Sequence, residues 1–259
     1  LQAEKMQIEQ EFAVWCESAQ KKQKWIFWRW EPVSKIEMES LNAIEISNRQ
    51  PRVTCITDLS YSTDDLLARM HEKTRYNVRL SLKKSLSFRN ISALDMTPEI
   101  FDAFWSLMNE TSNRANIKSY NKKYYQQLFE TARVENGQAA RMLLIYKDNK
   151  ALAAGVFIGS GDTFTYLFGA SSSQERNLMA PYYLHWRAME YAIDKGFLWY
   201  DWWGVNPENN DHSAYKKSWE GITRFKDGFG CKRVEYSEAK KIPIDNVWYK
   251  VYKLLIKFR

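Results

Sequence analysis

The chain has 259 residues and a formal net charge of +7 at pH 7, and 45% of its residues are apolar and 15% aromatic. This composition excludes an intrinsically disordered chain and predicts one large folded domain or two smaller ones. The excess of positive charge fits a phosphate-rich partner, although many ordinary enzymes are equally basic.

Cysteine usage and hydropathy indicate the cellular setting. Cys16, Cys55 and Cys231 are odd in number and widely spaced, and no CxxC pair occurs. Neither a disulfide framework nor a zinc site is therefore expected, and a reducing cytoplasm fits best. The sequence also contains no secretory segment and no apolar run long enough to span a bilayer, so no transmembrane helix is predicted.

The amino-terminal part of the chain is predicted to alternate helices and strands. Apolar spacing predicts a helix over 4–22, and the segments KWIFWRW (24–30) and VTCITDL (53–59) are typical of buried strands. Ser62 or Thr63 is expected to cap a second helix, because two aspartates in its first turn oppose the helix dipole favourably.

The predicted second helix continues into a basic segment. The stretch KTRYNVRLSLKK (73–84) holds five basic residues and no acid. Arg75, Arg79 and Lys83 recur at helical spacing, where like charges repel by roughly 0.2–0.5 kcal/mol per pair. Two interpretations stay open: water and salt screen these charges, or a bound polyanion neutralises them.

The second half of the chain has the element order of an acetyltransferase-type fold. Two helices are predicted first, then strand hairpins that turn at Asp148-Asn149 and at Ser160-Gly161-Asp162, then a helix and a strand. The three helices are expected over 97–114, 122–133 and 181–197, and the last strand over 198–204.

The loop before the helix at 181 lacks the glycines of a pyrophosphate-binding loop. An acyl-coenzyme A site of the acetyltransferase type needs glycine there, so that backbone N–H groups can approach the phosphates. In QERNLMA (174–180), Asn177 and Met179 stand at these positions, and only Ala180 is small. The sequence therefore predicts that no coenzyme A cofactor binds.

Motifs over residues 50–235 resemble those of one enzyme family, in the same order. They are TDLSYSTDDLLARMHEKTRYNVRLSLKK, NKALAAG, YLFGASS, PYYLHWRAMEYAIDKG, YDWWG and GITRFKDGFG. The chain thereby resembles the Fem family, the non-ribosomal peptidyl transferases that build peptidoglycan cross-bridges. YDWWG departs from the usual Tyr-Asp-Phe-Gly-Gly, because Trp202 and Trp203 replace Phe and Gly.

The resemblance implies an α/β (α+β) fold with two tandem acetyltransferase-like (GNAT-like) domains. Residues 1–90 would form a partial first domain and residues 91–240 the second, with 241–259 returning as a helix that packs on the first. Residues 1–90 are short for a whole domain, and the chain begins with Leu1, so we expect an amino-terminally truncated first domain. The basic amphipathic tail either docks on that domain or lies on an anionic membrane surface.

The resemblance also implies a reaction. An amino acid would pass from aminoacyl-tRNA to the stem-peptide amine of a peptidoglycan precursor, either UDP-MurNAc-peptide or its lipid-linked form. No cofactor or metal is expected, and the enzyme is expected to be a cytoplasmic monomer, with peripheral contact at the inner membrane face left open. Two alternatives are an acyl-coenzyme A-dependent N-acyltransferase of GNAT type and a non-catalytic RNA- or anion-binding module.

Candidate site residues follow from the resembled motifs and from this chemistry. Because the ester is already activated, positioning and oxyanion stabilisation are expected to dominate. Lys226 is the predicted cation, Phe225 shapes the pocket, and Asp201 is either a base or a structural carboxylate. The predicted substrate-binding residues are Arg75, Tyr76, Asn77, Arg79, Tyr166, Tyr183 and Arg224.

Overall fold

A computed structural model describes residues 24–33, 43–117, 119–134 and 139–257, with isolated positions before residue 24. Most of the helix predicted over 4–22 lies outside the described residues. The chain divides into two compact units, one made of residues 1–53 and 235–259 and the other of residues 54–234.

The strands and helices of the described residues agree with most of the predicted elements. The strands are β1 (Phe27–Trp30), β2 (Ile44–Ile46), β3 (Val53–Asp58), β4 (Ser87–Ser92), β5 (Ala140–Lys147), β6 (Lys150–Ser160), β7 (Thr163–Ser171), β8 (Trp199–Gly204), β9 (Lys232–Glu235) and β10 (Ala239–Pro243). The helices are α1 (Thr63–Arg69), α2 (Glu72–Leu82), α3 (Pro98–Ala115), α4 (Lys122–Val134), α5 (Ala180–Asp194), α6 (Glu220–Asp227) and α7 (Asn246–Lys257).

The larger unit is built on a seven-stranded sheet of order β4-β5-β6-β7-β8-β3-β9. The expected boundary at residue 90 is therefore corrected, because β3 is an inner strand of this sheet and the segment 54–90 belongs to the larger unit. The predicted turns are confirmed: β5 and β6 are joined at Asp148-Asn149, where both residues have positive φ, and β6 and β7 at Gly161.

Helices cover both faces of the sheet. Helices α3 and α4 share a core with Met142, Leu144 and Val156, whereas α5 lies against β5 and β6 and also contacts α2. Side chains alternate between the two faces of a strand, so Leu143 and Ile145, both fully buried, point away from the α3 and α4 core. Two covered faces explain why β5 and β6 are almost continuously apolar.

The basic segment forms its own helix. The sequence pattern predicts one helix from residue 62 onward, but the structure interrupts it at Met70, whose backbone is extended (φ −68°, ψ 147°). Ser62 caps α1 by accepting a hydrogen bond from the backbone N–H of Asp65 (3.1 Å), and the His71 side chain caps α2. The buried side chain of Met70 anchors the break between the two helices.

Two strands at the centre of the sheet separate part-way along their length. Parallel β7 and β8 pair only from Thr163 opposite Trp199 to Thr165 opposite Asp201. Beyond this point β7 carries a register shift against β6, and β8 carries one against β3. Such bulges bend strands and end pairing beside functional sites.

The irregularity in β8 includes a residue in a left-handed conformation. Trp203 has a φ of +60°, which costs an L-residue with a Cβ roughly 1–2 kcal/mol. This is the position at which the resembled motif has glycine. The bulky residue there consequently stores backbone strain next to Gly204.

A disulfide joins Cys55 and Cys231, whose Cα atoms are 5.5 Å apart. The expectation that no disulfide forms is therefore wrong for this pair. The two residues are 176 positions apart in the chain, but strands β3 and β9 are neighbours in the sheet. Sequence spacing alone does not reveal a pair that only the sheet order brings together.

The smaller unit contains an antiparallel sheet of order β1-β10-β2. Helix α7 packs against it, with the Tyr252 ring 4.8 Å and the Tyr249 ring 6.0 Å from the Phe27 ring. Among the described residues, no helix has both the length and the apolar character needed to cross a bilayer.

The strain at Trp203 predicts an unusual order of stability. The Trp203→Gly variant should be more stable than Trp203→Ala by about 1 kcal/mol, because both lose the indole but only glycine tolerates the positive φ. In thermal unfolding this difference corresponds to roughly 2–4 °C. Trp199, on the same strand without a positive φ, is the matched control, and there the alanine variant should be the more stable. Equal melting temperatures for the two Trp203 variants would contradict the assigned strain.

Candidate functional site

Lys226 is a buried cation at the end of α6. Only 5% of the residue is exposed, and its Nζ donates a hydrogen bond to the Gly204 carbonyl at 2.9 Å. This carbonyl belongs to the part of β8 that lies beyond the pairing with β7. The separation of the two strands therefore leaves a backbone acceptor available for the lysine.

The Lys226 ammonium retains hydrogen-bonding capacity. An ammonium group has three donors, and among the described residues only the Gly204 carbonyl accepts one of them. The ring of Tyr166 lies 5.5 Å from the Nζ atom and provides a weakly attractive aromatic neighbour. Two N–H groups thus have no acceptor among the described residues.

Burial controls the charge of Lys226. Desolvation lowers the pKa of Lys226 from 10.5 to about 7, and the negative charge of Asp201 opposes this shift. The lysine therefore changes its charge near neutral pH, and an oxyanion beside it would favour the charged form. A titrating group in a buried site is a marker of a functional position.

Asp201 is held by two donors. Its Oδ1 accepts a hydrogen bond from the Thr54 hydroxyl and another from the Trp203 backbone N–H at 2.8 Å. Burial raises the pKa of Asp201, whereas Thr54, Trp203 and Lys226 lower it. This arrangement suits a carboxylate that holds the β8 bulge and faces a cation. It favours the structural role of Asp201 over the role of a base.

A buried histidine lies next to the predicted residues. The ring of His185 is 4.5 Å from that of Tyr166, and its Nδ1 is hydrogen-bonded to the Tyr200 hydroxyl at 2.7 Å. Burial lowers the pKa of His185 well below its usual range, and the Lys226 charge lowers it further, so the imidazole is neutral. Sequence reasoning missed it because an isolated histidine on an apolar helix face carries no motif.

Two cavities meet at this site. Cavity A, of about 460 Å³, is lined by Tyr166 and His185, and cavity B, of about 970 Å³, is lined by Arg224. Tyr182 and Phe225 line both, with their ring centroids 5.1 Å apart. The two rings therefore form a common wall. Phe225 precedes Lys226 in the chain, but Lys226 itself lines neither cavity.

The structure brings some of the predicted site residues together. The separation of β7 and β8 brings together Lys226, Tyr166 and Asp201. Phe225 lines both cavities and Arg224 lines cavity B, whereas Lys226 and Asp201 line neither. Tyr183 is half-buried and lines neither cavity, whereas its neighbour Tyr182 lines both. The sequence predicts aromatic residues here, but only the helix orientation decides which tyrosine faces the cavities.

The predicted residues on α2 have different environments. The guanidinium of Arg75 donates to the Ala68 carbonyl at 3.0 Å and to the Met70 carbonyl at 3.3 Å, so it braces the turn between α1 and α2. Asn77 is buried. Tyr76 and Arg79 are exposed, so these two remain available to an external partner.

The loop before α5 carries side chains at the positions where a phosphate-binding loop has glycine. Residues Arg176–Leu178 form a single 3₁₀ turn, and Met179, with a φ of +56°, precedes the helix. The exposed Arg176 side chain lines cavity A from this turn.

Comparison with known proteins places the chain in a family. The sequence profile of the FemAB family matches residues 39–133 and 129–257. The chain belongs to the FemAB family. The resemblance stated from the motifs is thereby confirmed.

Individual relatives of this FemAB-family chain are distant. The chain is 30% identical over 108 residues to the "Aminoacyltransferase FemB" of Staphylococcus epidermidis, a match covering 42% of this chain and 25% of that protein. The crystal structure of FemX superposes with a TM-score of 0.78 at 16% identity, covering 94% of this chain and 79% of that one. This chain thus spans about a quarter of the length of the curated relative.

A tandem acetyltransferase also shares the fold. The tandem GNAT protein from the clavulanic acid biosynthesis pathway superposes with a TM-score of 0.50 at 13% identity, covering 90% of this chain and 69% of that one. At such identities the likeness concerns the fold alone. The predicted α/β class with two acetyltransferase-like domains is confirmed.

The buried lysine predicts a specific pH dependence of stability. Unfolded lysine keeps its proton up to pH 10.5, whereas the pKa of folded Lys226 is about 7, so the unfolded chain binds more protons between these values. The stability of the wild type relative to Lys226→Met should therefore rise by about 1.4 kcal/mol per pH unit above pH 7 and stay constant below it.

Urea unfolding from pH 6 to pH 9 measures this difference. The Lys195→Met variant, which removes an exposed lysine at the end of α5, controls for the loss of one surface charge. A Lys226→Met difference that does not change with pH would refute the assigned burial of the ammonium.

Proposed function

We propose that this FemAB-family chain is an aminoacyltransferase. It transfers an amino acid from aminoacyl-tRNA to the stem-peptide amine of a peptidoglycan precursor, UDP-MurNAc-peptide or its lipid-linked form, and so extends an interpeptide bridge. Family membership supports the reaction class. The observation that carries the proposal is the buried Lys226 ammonium, which lies 5.5 Å from the ring of Tyr166, a residue that lines cavity A, and next in the chain to Phe225, which lines both cavities.

The proposed reaction needs an oxyanion site more than a nucleophile. The acceptor amine attacks the ester carbonyl of the aminoacyl-tRNA, and the tetrahedral intermediate collapses by expelling the terminal ribose hydroxyl of the tRNA. The amine loses a proton and the leaving alkoxide gains one, so the transfer is balanced. Lys226 donates its free N–H groups to the carbonyl oxygen as negative charge develops there, and Phe225 and Tyr166 keep water away.

The two cavities suit the two substrates. Cavity A is lined by the apolar Leu152, Ala154 and Leu184 with Arg176 at the exposed side, which fits the aminoacyl ester and the phosphate that follows it. Cavity B is lined by three carboxylates and three cations. Arg233 pairs with Glu208 and Asp227, whereas Glu220 accepts a hydrogen bond from the Tyr215 hydroxyl at 2.8 Å. A carboxylate in cavity B attracts the ammonium group of an acceptor peptide.

Other surfaces extend this proposal. The exposed Arg79 and Tyr76 on α2 offer a phosphate contact and a stacking surface to the tRNA. Exposed apolar residues on α7, among them Trp248 and Leu255, support peripheral contact with the inner membrane face. We propose that the enzyme is a cytoplasmic monomer without a cofactor, so that the Cys55–Cys231 disulfide would meet the thiol reductants of that compartment.

Removal of the cation tests the role of Lys226. The Lys226→Ala variant should transfer at least tenfold more slowly, with a loss of ~10²–10³ typical for one oxyanion donor. The measurement is transfer of a radiolabelled amino acid from a mixed charged tRNA pool to UDP-MurNAc-peptide, with the fold checked by circular dichroism. Lys195→Ala is the control, because this exposed lysine lies at the end of α5. Near-normal transfer by folded Lys226→Ala defeats the assignment.

Two charge variants test which substrate each cavity binds. Arg176→Ala should raise the KM for charged tRNA two- to fivefold, because an exposed ion pair contributes roughly 0.5–1 kcal/mol. Glu220→Gln should raise the KM for the peptide acceptor by a similar factor. Each variant is the control for the other, since each should leave the second KM unchanged. If Arg176→Ala changed only the KM for the peptide and Glu220→Gln only the KM for tRNA, the two cavity assignments would be exchanged.

A separate thermal-shift measurement tests the acyl donor. Stabilisation of the chain by coenzyme A alone would overturn aminoacyl-tRNA as the donor.

A further inference from the structure

The cystine of Cys55 and Cys231 joins the two chain segments that support Lys226. Cys55 follows Thr54, whose hydroxyl donates to Asp201. Cys231 follows the turn that ends α6, and its Sγ lies 3.4 Å from the Lys226 carbonyl oxygen. The covalent bond therefore connects the strand that holds Asp201 to the helix end that carries Lys226.

The turn between Lys226 and Cys231 is closely packed. The His71 backbone N–H donates to the Gly228 carbonyl at 2.8 Å, and the Phe229 N–H donates to the Lys226 carbonyl at 3.0 Å. A Cβ atom at Gly228 would overlap the Thr74 hydroxyl, and one at Gly230 would overlap the Arg69 backbone. A turn with so little free space transmits a change at Cys231 to the end of α6.

The two cysteine residues differ in exposure. Cys55 is completely buried, whereas Cys231 is partly exposed. An external thiolate therefore reaches the Cys231 sulfur first, and the Cys55 sulfur is the leaving group. Exposed cystines are the ones that exchange readily with external thiols.

We propose that Cys55 and Cys231 are a redox-modifiable pair that sets the position of Lys226. A cellular dithiol attacks the Cys231 sulfur, the S–S bond breaks, and the Cys55 thiolate takes up a proton. The second thiol of the reductant then releases Cys231 as a thiol and becomes a disulfide itself, so two electrons and two protons pass to the protein. Reduction removes the covalent link between this turn and β3, and the Lys226 ammonium is then held less firmly, by the hydrogen bonds of the turn and by the Gly204 carbonyl.

The test compares the oxidised and the reduced full chain. Alkylation followed by mass measurement counts the free thiols, and hydrogen–deuterium exchange reports the mobility of residues 220–231. We expect two additional alkylated thiols after treatment with dithiothreitol, faster exchange in this segment, and a melting temperature lower by roughly 5–10 °C. Aminoacyl transfer, a readout that depends on the proposed function, should fall about tenfold and return on reoxidation.

Single cysteine variants separate the effect of breaking the Cys55–Cys231 bond from any other effect of the reductant. Cys231→Ser and Cys55→Ser should match the reduced wild type and be insensitive to dithiothreitol, while Cys16→Ser should respond as the wild type does. The proposal fails if Cys55 and Cys231 stay unpaired in the oxidised chain, or if reduction leaves exchange in 220–231 unchanged. If neither redox state transfers an amino acid, the proposed function fails, while the exchange measurement still decides the role of the cystine.

Discussion

The hydrogen bond from the Lys226 ammonium to the Gly204 carbonyl depends on an interruption of the central sheet. Removing an ammonium from water is costly, and one neutral carbonyl offsets only part of that cost. The interaction exists because β7 and β8 stop pairing at Asp201. A sheet that continued its ladder would use the Gly204 carbonyl and leave no place for the lysine.

The surroundings of Lys226 maintain this arrangement through neutral and aromatic groups. His185 is neutral, and burial raises the pKa of Tyr166 and Tyr200, so these side chains carry no charge. Asp201 supplies a negative charge, which the Thr54 hydroxyl and the Trp203 backbone N–H stabilise by hydrogen bonds and which also attracts Lys226. The pKa of Lys226 is therefore about 7, close to neutral pH. A new negative charge nearby would stabilise the protonated form of the lysine. This property suits stabilisation of the transient oxyanion in the proposed transfer reaction.

Much of the fold follows from local sequence patterns, and the exceptions have physical causes. Hairpin turns such as Asp148-Asn149 require a backbone conformation that few residues adopt, so they were predictable. The break at Met70 was not, because it depends on contacts with distant residues, such as the hydrogen bond from the His71 backbone N–H to the Gly228 carbonyl. The domain boundary at residue 90 was wrong because strand order, which places β3 inside the larger sheet, is a non-local property.

The sequence by itself determined the family and the order of most elements, and it led to the proposal of Lys226 as the cation, because these depend on motifs that are local in the chain. Tertiary structure decided the rest: the pairing of Cys55 with Cys231, the choice of Tyr182 over Tyr183, and the presence of His185 beside Tyr166. Each of these contacts joins residues that are distant in sequence or depends on which face of a helix points inward. Such contacts arise only when the packing of α5, α6 and the interrupted sheet fixes the distances between side chains.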